Sequence, residues 1–352
     1  MMNMLVASIA YCAVGCNPGS GDMQAIHVLA CDTETGEARI VQSVKGVSGT
    51  TYFAVDSGRR WLYTMVGNER DRRLQGKAVR FPIDGHVIGK METLAELPCP
   101  APCHVTLLPG EKRLAYAAYG AGVAATVDLE SREVRWLTLS DEGVGPNPLR
   151  QKKAYAHFAF STPDAARLGI VNLGCDRIHF LNPETLVEDV EMRILSDPGD
   201  GPRHAVWSNN GRFLFVVNEL GNSVTSFARD GRSWRKVCKV SMLPEGFIGD
   251  TKAAAIRLTA DGRMLAASNR GHDSIAFFDV DSETGRLERR GIAKLTGRAP
   301  RDFAFMPGEK FMVVGHKLSD EIQVYRFDRG SASLEPVGAP IPAYHPLCFT
   351  FL

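Results

Sequence analysis

No charge of one sign dominates this chain of 352 residues, in which 41 lysines and arginines stand against 40 aspartates and glutamates. Such a balance supplies no field for nucleic acid or for an anionic membrane surface, so a small molecule is the expected partner. No uninterrupted apolar run approaches the ~20 residues that span a bilayer, and a soluble protein is expected. Residues 1–16 are apolar and end in Val-Gly-Cys, but they lack the basic start of a signal peptide. Residues 5–14 are therefore read as a first strand.

The eight cysteines form no CxxC pair. Cys12 and Cys16, like Cys99 and Cys103, are spaced too widely for the tight zinc or redox motif, and nothing else suggests a disulfide framework. Buried thiols in a reducing cytoplasm are the simpler reading, and no metal is expected. A glycine-rich phosphate loop after a strand, HExxH and GxSxG are all missing, which removes the common signatures of nucleotide, zincin and serine-hydrolase chemistry. Hydrophobic content of 44% and charged content of 23% are ordinary for a globular chain.

What is present is a repeat. The stretch from Gly201 to Gly221 reads as two strands around an Asn-Asn-Gly turn, which brings Arg203 and His204 at its opening beside Asn218 and Glu219 at its close. Similar hairpins start at Tyr52, His104, His157, Ala255 and Asp302, roughly fifty residues apart, a period that predicts propeller blades. One residue near the close of each hairpin, Gly67, Tyr119, Asn172, Glu219, Arg270 and Lys317, is expected around one end of the central channel. The charged run at residues 68–73 and the polar segment at residues 141–153 are expected as loops, the latter as part of the rim.

Six hairpins and a first blade short of one strand leave a gap that the C-terminal segment, from His345, can fill, because it alternates like a strand and is apolar enough to be buried. The fold class predicted is all-β, a seven-bladed β-propeller forming one domain over residues 1–352, closed by the C-terminal strand pairing into the first blade.

Several pieces in this register, Gly201-Pro-Arg-His204, Val217-Asn-Glu-Leu220, Ser268-Asn-Arg-Gly-His-Asp-Ser-Ile275, Pro300-Arg-Asp-Phe303 and Cys103-His104-Val105, resemble the lactonase-type seven-bladed propellers. That family includes 6-phosphogluconolactonases and carboxymuconate-lactonising enzymes, and the resemblance covers nearly the whole chain. It implies a channel-mouth site for a sugar lactone or a related carboxylated lactone, without an organic cofactor. It also implies His157, Arg203, Glu219 and Arg270 as the catalytic residues. The chain departs from the family's pattern at Ala255, where an acidic residue is common, and at His316, where Gln or Asn is common. Both departures are expected near the same rim.

Lactone hydrolysis needs a base for water, a cation at the carbonyl oxygen and an acid for the departing alkoxide. Glu219 is the expected base, Arg203 and Arg270 the anion-stabilising groups, and His157 the relay for the leaving-group proton. His104, His204, Tyr119, Asn172, Arg301 and Lys317 are the expected substrate-binding residues, although His104 and His204 also fit a role in tying strands together. His272, in a turn, is expected to be exposed. Two other functions fit the same pattern. One is a lactonising cycloisomerase running the chemistry in reverse, and the other is a propeller that binds a ligand or protein without catalysis.

Overall fold

The computed structural model describes residues 8–16, 24–47, 49–67, 75–100 and 102–352, in which the regular structure is β-strand apart from 3₁₀ turns at Leu173–Cys175 and Val190–Met192. The strands make seven antiparallel sheets, six of four strands and one of five. The fifth sheet shows the pattern. Its strands Pro202–Trp207, Phe213–Asn218, Ser223–Asp230 and Ser233–Ser241 pair in sequence order from the channel outward.

Their sequences follow their depth. Phe213–Asn218 is buried at every position because both faces of the sheet meet neighbouring blades. Ser233–Ser241, at the rim, alternates between half-buried and exposed residues because only one side of it is covered. The turn between the first two strands places Gly211 at φ +68°, the left-handed region that a side chain disfavours. In the fourth blade no glycine stands at the turn, and Ala165 takes the left-handed position at φ +57° while Asp164 Oδ1 accepts the Ala166 N–H.

The apolar core is divided into layers, each filled by two successive blades. One layer packs Tyr116 and Leu114 of the third blade against Tyr63 and Met65 of the second. Another packs Phe278 and Leu265 of the sixth against Phe215 and Val217 of the fifth. The layer that decides closure joins the ends of the chain, because Phe311 and Val313 of the seventh blade pack on Cys12, Val14 and Phe349 of the first.

As the sequence predicts, the first blade takes its innermost strand from the C-terminus. Pro346–Phe351 pairs antiparallel with Ile9–Cys16, with Val14 opposite Phe349 and Ala13 opposite Thr350. The expected first strand thus begins later among the described residues, at Ile9, and the charged run at residues 68–73 lies outside them. All eight cysteines are free thiols. Among the described residues no helix is long and apolar enough to cross a membrane.

Candidate active site

A shared irregularity of the innermost strands builds the site. In the fifth blade Pro202 pairs with Asn218 and His204 with Val217, so Arg203 is an extra residue with no partner across the ladder. The same bulge isolates His157 between Ala156 and Phe158 in the fourth blade, and Arg301 between Pro300 and Asp302 in the seventh. A bulge re-aims the side chain it carries. The strands therefore present His157, Arg203 and Arg301 at one end of the channel.

This corrects the sequence register in one blade. Phe158, not His157, occupies the place of His204 and His104, and Asn172 consequently matches Asn218 rather than Glu219. The reason is that His157 stands on the bulge, in the place of Arg203, so matching histidine to histidine along the repeat sets the fourth blade one residue out of register. Asn172 is not part of the channel wall: its Oδ1 accepts the Tyr155 N–H at 2.9 Å, and its Nδ2 lies 3.3 Å from His179 Nε2 within the fourth blade. His316 likewise takes the place of Asn218 in the seventh blade, bonded through Nε2 to the Tyr325 hydroxyl at 3.0 Å. Both departures from the family's pattern are fully buried, His316 at the end of the second strand of the seventh blade and Ala255 in the innermost strand of the sixth.

Glu219 is the centre of charge. It follows the strand Phe213–Asn218, with its N–H bonded to Gly201 O and its carbonyl accepting the Ala253 N–H of the next blade. Gly201, at φ +57°, is held by Asp176, whose carboxylate receives the N–H groups of Gly199 and Gly201 at 2.7 Å each. The Glu219 side chain is almost completely buried, yet both its oxygens meet guanidinium groups. Arg203 Nε and Arg270 Nη2 reach Oε2 at 3.0 and 2.9 Å, and Arg150 Nη2 reaches Oε1 at 2.5 Å.

Burial alone would raise the proton affinity of Glu219, but the arginines around it overcome this and hold the carboxyl far below its usual range. Arg203 is also buried, donating to Ala254 O at 2.8 Å and lying 3.0 Å from His204 Nε2. Burial, with Arg301 and Arg270 nearby, draws it down to about 9, so it stays cationic at neutral pH.

His157, His204 and His104 extend from this cluster into the channel, with ring centroids 5.3 Å apart for the first pair and 6.0 Å for the second. Burial lowers the proton affinity of all three well below the usual imidazole value, and Arg203 adds to the effect, so each is neutral near pH 7. His104 Nδ1 accepts the Ala159 N–H at 3.2 Å, which is the strand-tying role. Buried nitrogens without a partner among the described residues remain on each ring: Nδ1 of His157 and His204, and Nε2 of His104.

Tyr119 borders the cluster, edge-on to His157 with centroids 5.4 Å apart and its hydroxyl 3.1 Å from Arg150 Nη2. Lys317 begins the turn after the seventh blade's second strand, where its N–H donates to Ala299 O. His272 is buried rather than exposed, its Nδ1 2.7 Å from Ser274 Oγ and its ring edge-on to Phe247.

Two arginines carried no signal in the sequence. Arg150 comes from the polar segment expected at the rim, and only the folded loop brings it to Glu219. Arg257, from the sixth blade, lies deeper and binds both oxygens of Asp302 at 2.7 and 3.0 Å. Among the described residues no three His, Cys, Asp or Glu side chains are placed to hold a metal ion. Clefts of about 590 Å³, lined by Tyr11, Arg39 and His86, and of about 580 Å³, lined by Arg212, Arg235 and Glu283, lie elsewhere, but the Arg212–Glu283 pair of the second is exposed, whereas Arg203 and Glu219 are buried. Convergent charge, rather than volume, singles out the channel end.

The chain also matches known proteins over most of its length. A family model described as "Lactonase, 7-bladed beta-propeller" matches residues 11–351. A 6-phosphogluconolactonase of Bacillus subtilis is 27% identical over 341 residues, covering 94% of this chain and 95% of its own. An uncharacterized protein of Staphylococcus saprophyticus is 29% identical over 333 residues, covering 93% and 95%. Among solved structures, a periplasmic gluconolactonase of Pseudomonas aeruginosa superposes with a TM-score of 0.89 at 24% identity, covering 98% of this chain and 99% of that one.

Proposed function

The chain belongs to the seven-bladed β-propeller lactonase family, and we propose that it hydrolyses the lactone of a sugar acid, 6-phosphogluconolactone being the leading candidate, at the channel end around Glu219. The observation that carries this reading is the set of three guanidinium groups converging on one buried carboxylate beside a neutral imidazole. Burying that much charge costs several kcal/mol per ion, which stability alone does not require.

In this reading the lactone carbonyl oxygen points at the arginines, which receive the negative charge that develops when water attacks the carbonyl carbon. The attacking water needs a base. Glu219 serves poorly, since its proton affinity is strongly depressed and both oxygens are engaged; its role becomes that of holding the guanidiniums in position.

His157 fits better. It is neutral at pH 7, and with Nδ1 shut away from solvent its Nε2 is the nitrogen that would face the ligand. His157 takes the proton from water as the C–O bond forms. When the tetrahedral intermediate collapses, the ring C–O bond breaks and the imidazolium returns the proton to the departing alkoxide, leaving an open-chain hydroxy acid. No step calls for a cofactor. The free thiols fit the reducing cytoplasm as the site of this activity.

The test is a proton-release assay on phosphorylated and unphosphorylated aldonolactones, with spontaneous hydrolysis subtracted. Acceleration by the wild type and its loss in Arg270→Ala are expected. A rate no greater than the spontaneous one with every lactone would overturn the proposal and turn attention to lactone formation from an unsaturated carboxylic acid.

A further inference from the structure

Arg150 differs from the other two arginines on Glu219 in how it is held. Arg203 and Arg270 also donate to the carbonyl groups of Ala254 and Ala253, so the sixth blade's backbone fixes them. The bonds of Arg150 go only to side chains, the Tyr119 hydroxyl and Glu219, and both leave from Nη2. Among the described residues its Nε and Nη1 have no hydrogen-bond partner, and neither atom is shut away from solvent. A guanidinium has five donors in a rigid fork, so Arg150 directs unused donors toward the open end of the site. Its side chain is 30% exposed, against 2% for Arg203.

The loop that carries it is not loose. Asn147 Oδ1 accepts the Leu149 and Arg150 N–H groups at 3.1 Å each, and the Asn147 N–H donates to Gln151 Oε1. Gln151 is buried and donates through Nε2 to Leu173 O at 3.0 Å. Asp141 closes the loop by accepting the Ala154 N–H at 2.7 Å. The backbone at Arg150 is thus preset, while the guanidinium is free to change partner.

Charge completes the argument. Three arginines touch one glutamate, so the contacting groups carry a net charge of +2 (three minus one), which a dianion neutralises.

We propose that Arg150 is a specificity-determining residue, which binds a phosphate group on the substrate through Nε and Nη1 and so selects the phosphorylated lactone over its unphosphorylated counterpart. The proposal rests on the lactonase reading for its kinetic form and on anion binding for its equilibrium form. Arg203 and Arg270, fixed by the blade, remain for the carbonyl oxygen.

Both forms are tested with wild type, Arg150→Ala and Arg150→Lys. The expected result is that the ratio of kcat/KM for the phosphorylated to the unphosphorylated lactone falls about 10- to 100-fold in Arg150→Ala, the scale of a charge-assisted hydrogen-bonded pair. The change should sit in KM. Arg150→Lys, keeping the charge without the fork, should recover part of it. An unchanged ratio overturns the proposal.

Calorimetric titration with 6-phosphogluconate and with gluconate asks the same question without turnover. Wild type should prefer the phosphorylated acid, and Arg150→Ala should lose most of that preference. If the wild type hydrolyses neither lactone yet shows this preference, the lactonase reading fails and the role of Arg150 stands. If it binds both acids equally or neither, the role of Arg150 is overturned. Thermal unfolding of each variant separates lost recognition from lost fold.

Discussion

Arg203 Nε lies 3.0 Å from Glu219 Oε2, and both side chains are almost completely buried. One residue stands at a bulge in an innermost strand and the other just beyond the strand paired with it, so the contact depends on the bulge. Removing the carboxylate charge leaves three guanidiniums facing one another. Glu219→Gln should lower unfolding stability by about 3–5 kcal/mol, the usual cost of breaking a buried ion pair. Chemical denaturation checks this. A variant as stable as wild type would return Glu219 to consideration as a base whose charge the fold does not need.

His157 is the proposed base, and its proton affinity is lowered first by burial and then by Arg203. Its basic form should therefore persist below the ordinary imidazole range. For an unphosphorylated lactone, kcat/KM should remain level as pH falls through about 6.5. His157→Gln should lower it by about 10²–10⁴-fold. A wild-type profile that already declines at pH 7 would assign the base elsewhere.

The same shifts have a consequence for stability. His104, His157 and His204 all have folded proton affinities below the unfolded value. The unfolded chain therefore takes up protons that the folded one refuses, and stability falls as pH drops below about 6.5. Each histidine contributes up to about 1.4 kcal/mol per pH unit. Urea titrations at pH 7.5, 6.5 and 5.5 should show the fall, and His157→Gln should shallow it. Equal stability at the three pH values would contradict this account of the channel histidines.

Deleting the C-terminal residues 345–352 removes the innermost strand of the first blade. Leu347, Cys348, Phe349 and Leu352 are all buried there. At about 1.5–3 kcal/mol for each large apolar side chain, the loss is on the order of the whole stability of a typical domain. The truncated chain should be unfolded or aggregated at 37 °C, as circular dichroism and size exclusion would report. A folded truncation with a cooperative melt would show that ring closure is dispensable.

Asp302 and Arg257 form a second ion pair, its carboxylate buried and its guanidinium half-buried. Asp302→Asn should cost about 3–5 kcal/mol by stranding the arginine, whereas Asp302→Leu with Arg257→Met should recover much of that loss. If the double variant is no better than the single one, the pair does more than neutralise its own charges.

The order of blades, the turn positions and the closure by the last strand were legible in the sequence, because each depends on local rules: a glycine or polar turn, alternation along a strand, and a period near fifty. Arg203 and Glu219 were legible because hairpin ends must meet, and Arg270 because it holds the place of Glu219 in the next blade. Arg150 was not, because a loop residue has no period and reaches Glu219 only through the folds of residues 141–153. Asn172 was misplaced because His157 stands on the bulge, as Arg203 does, and matching it to His204 sets the fourth blade one residue out of register.

The sequence by itself thus determined the ring and its closure, which follow from periodicity and from the need to bury apolar strands between blades. The tertiary structure alone decided the site's charge state and donors. Three arginines from different elements surround Glu219, and burial, which no single stretch of sequence expresses, keeps the adjoining histidines neutral.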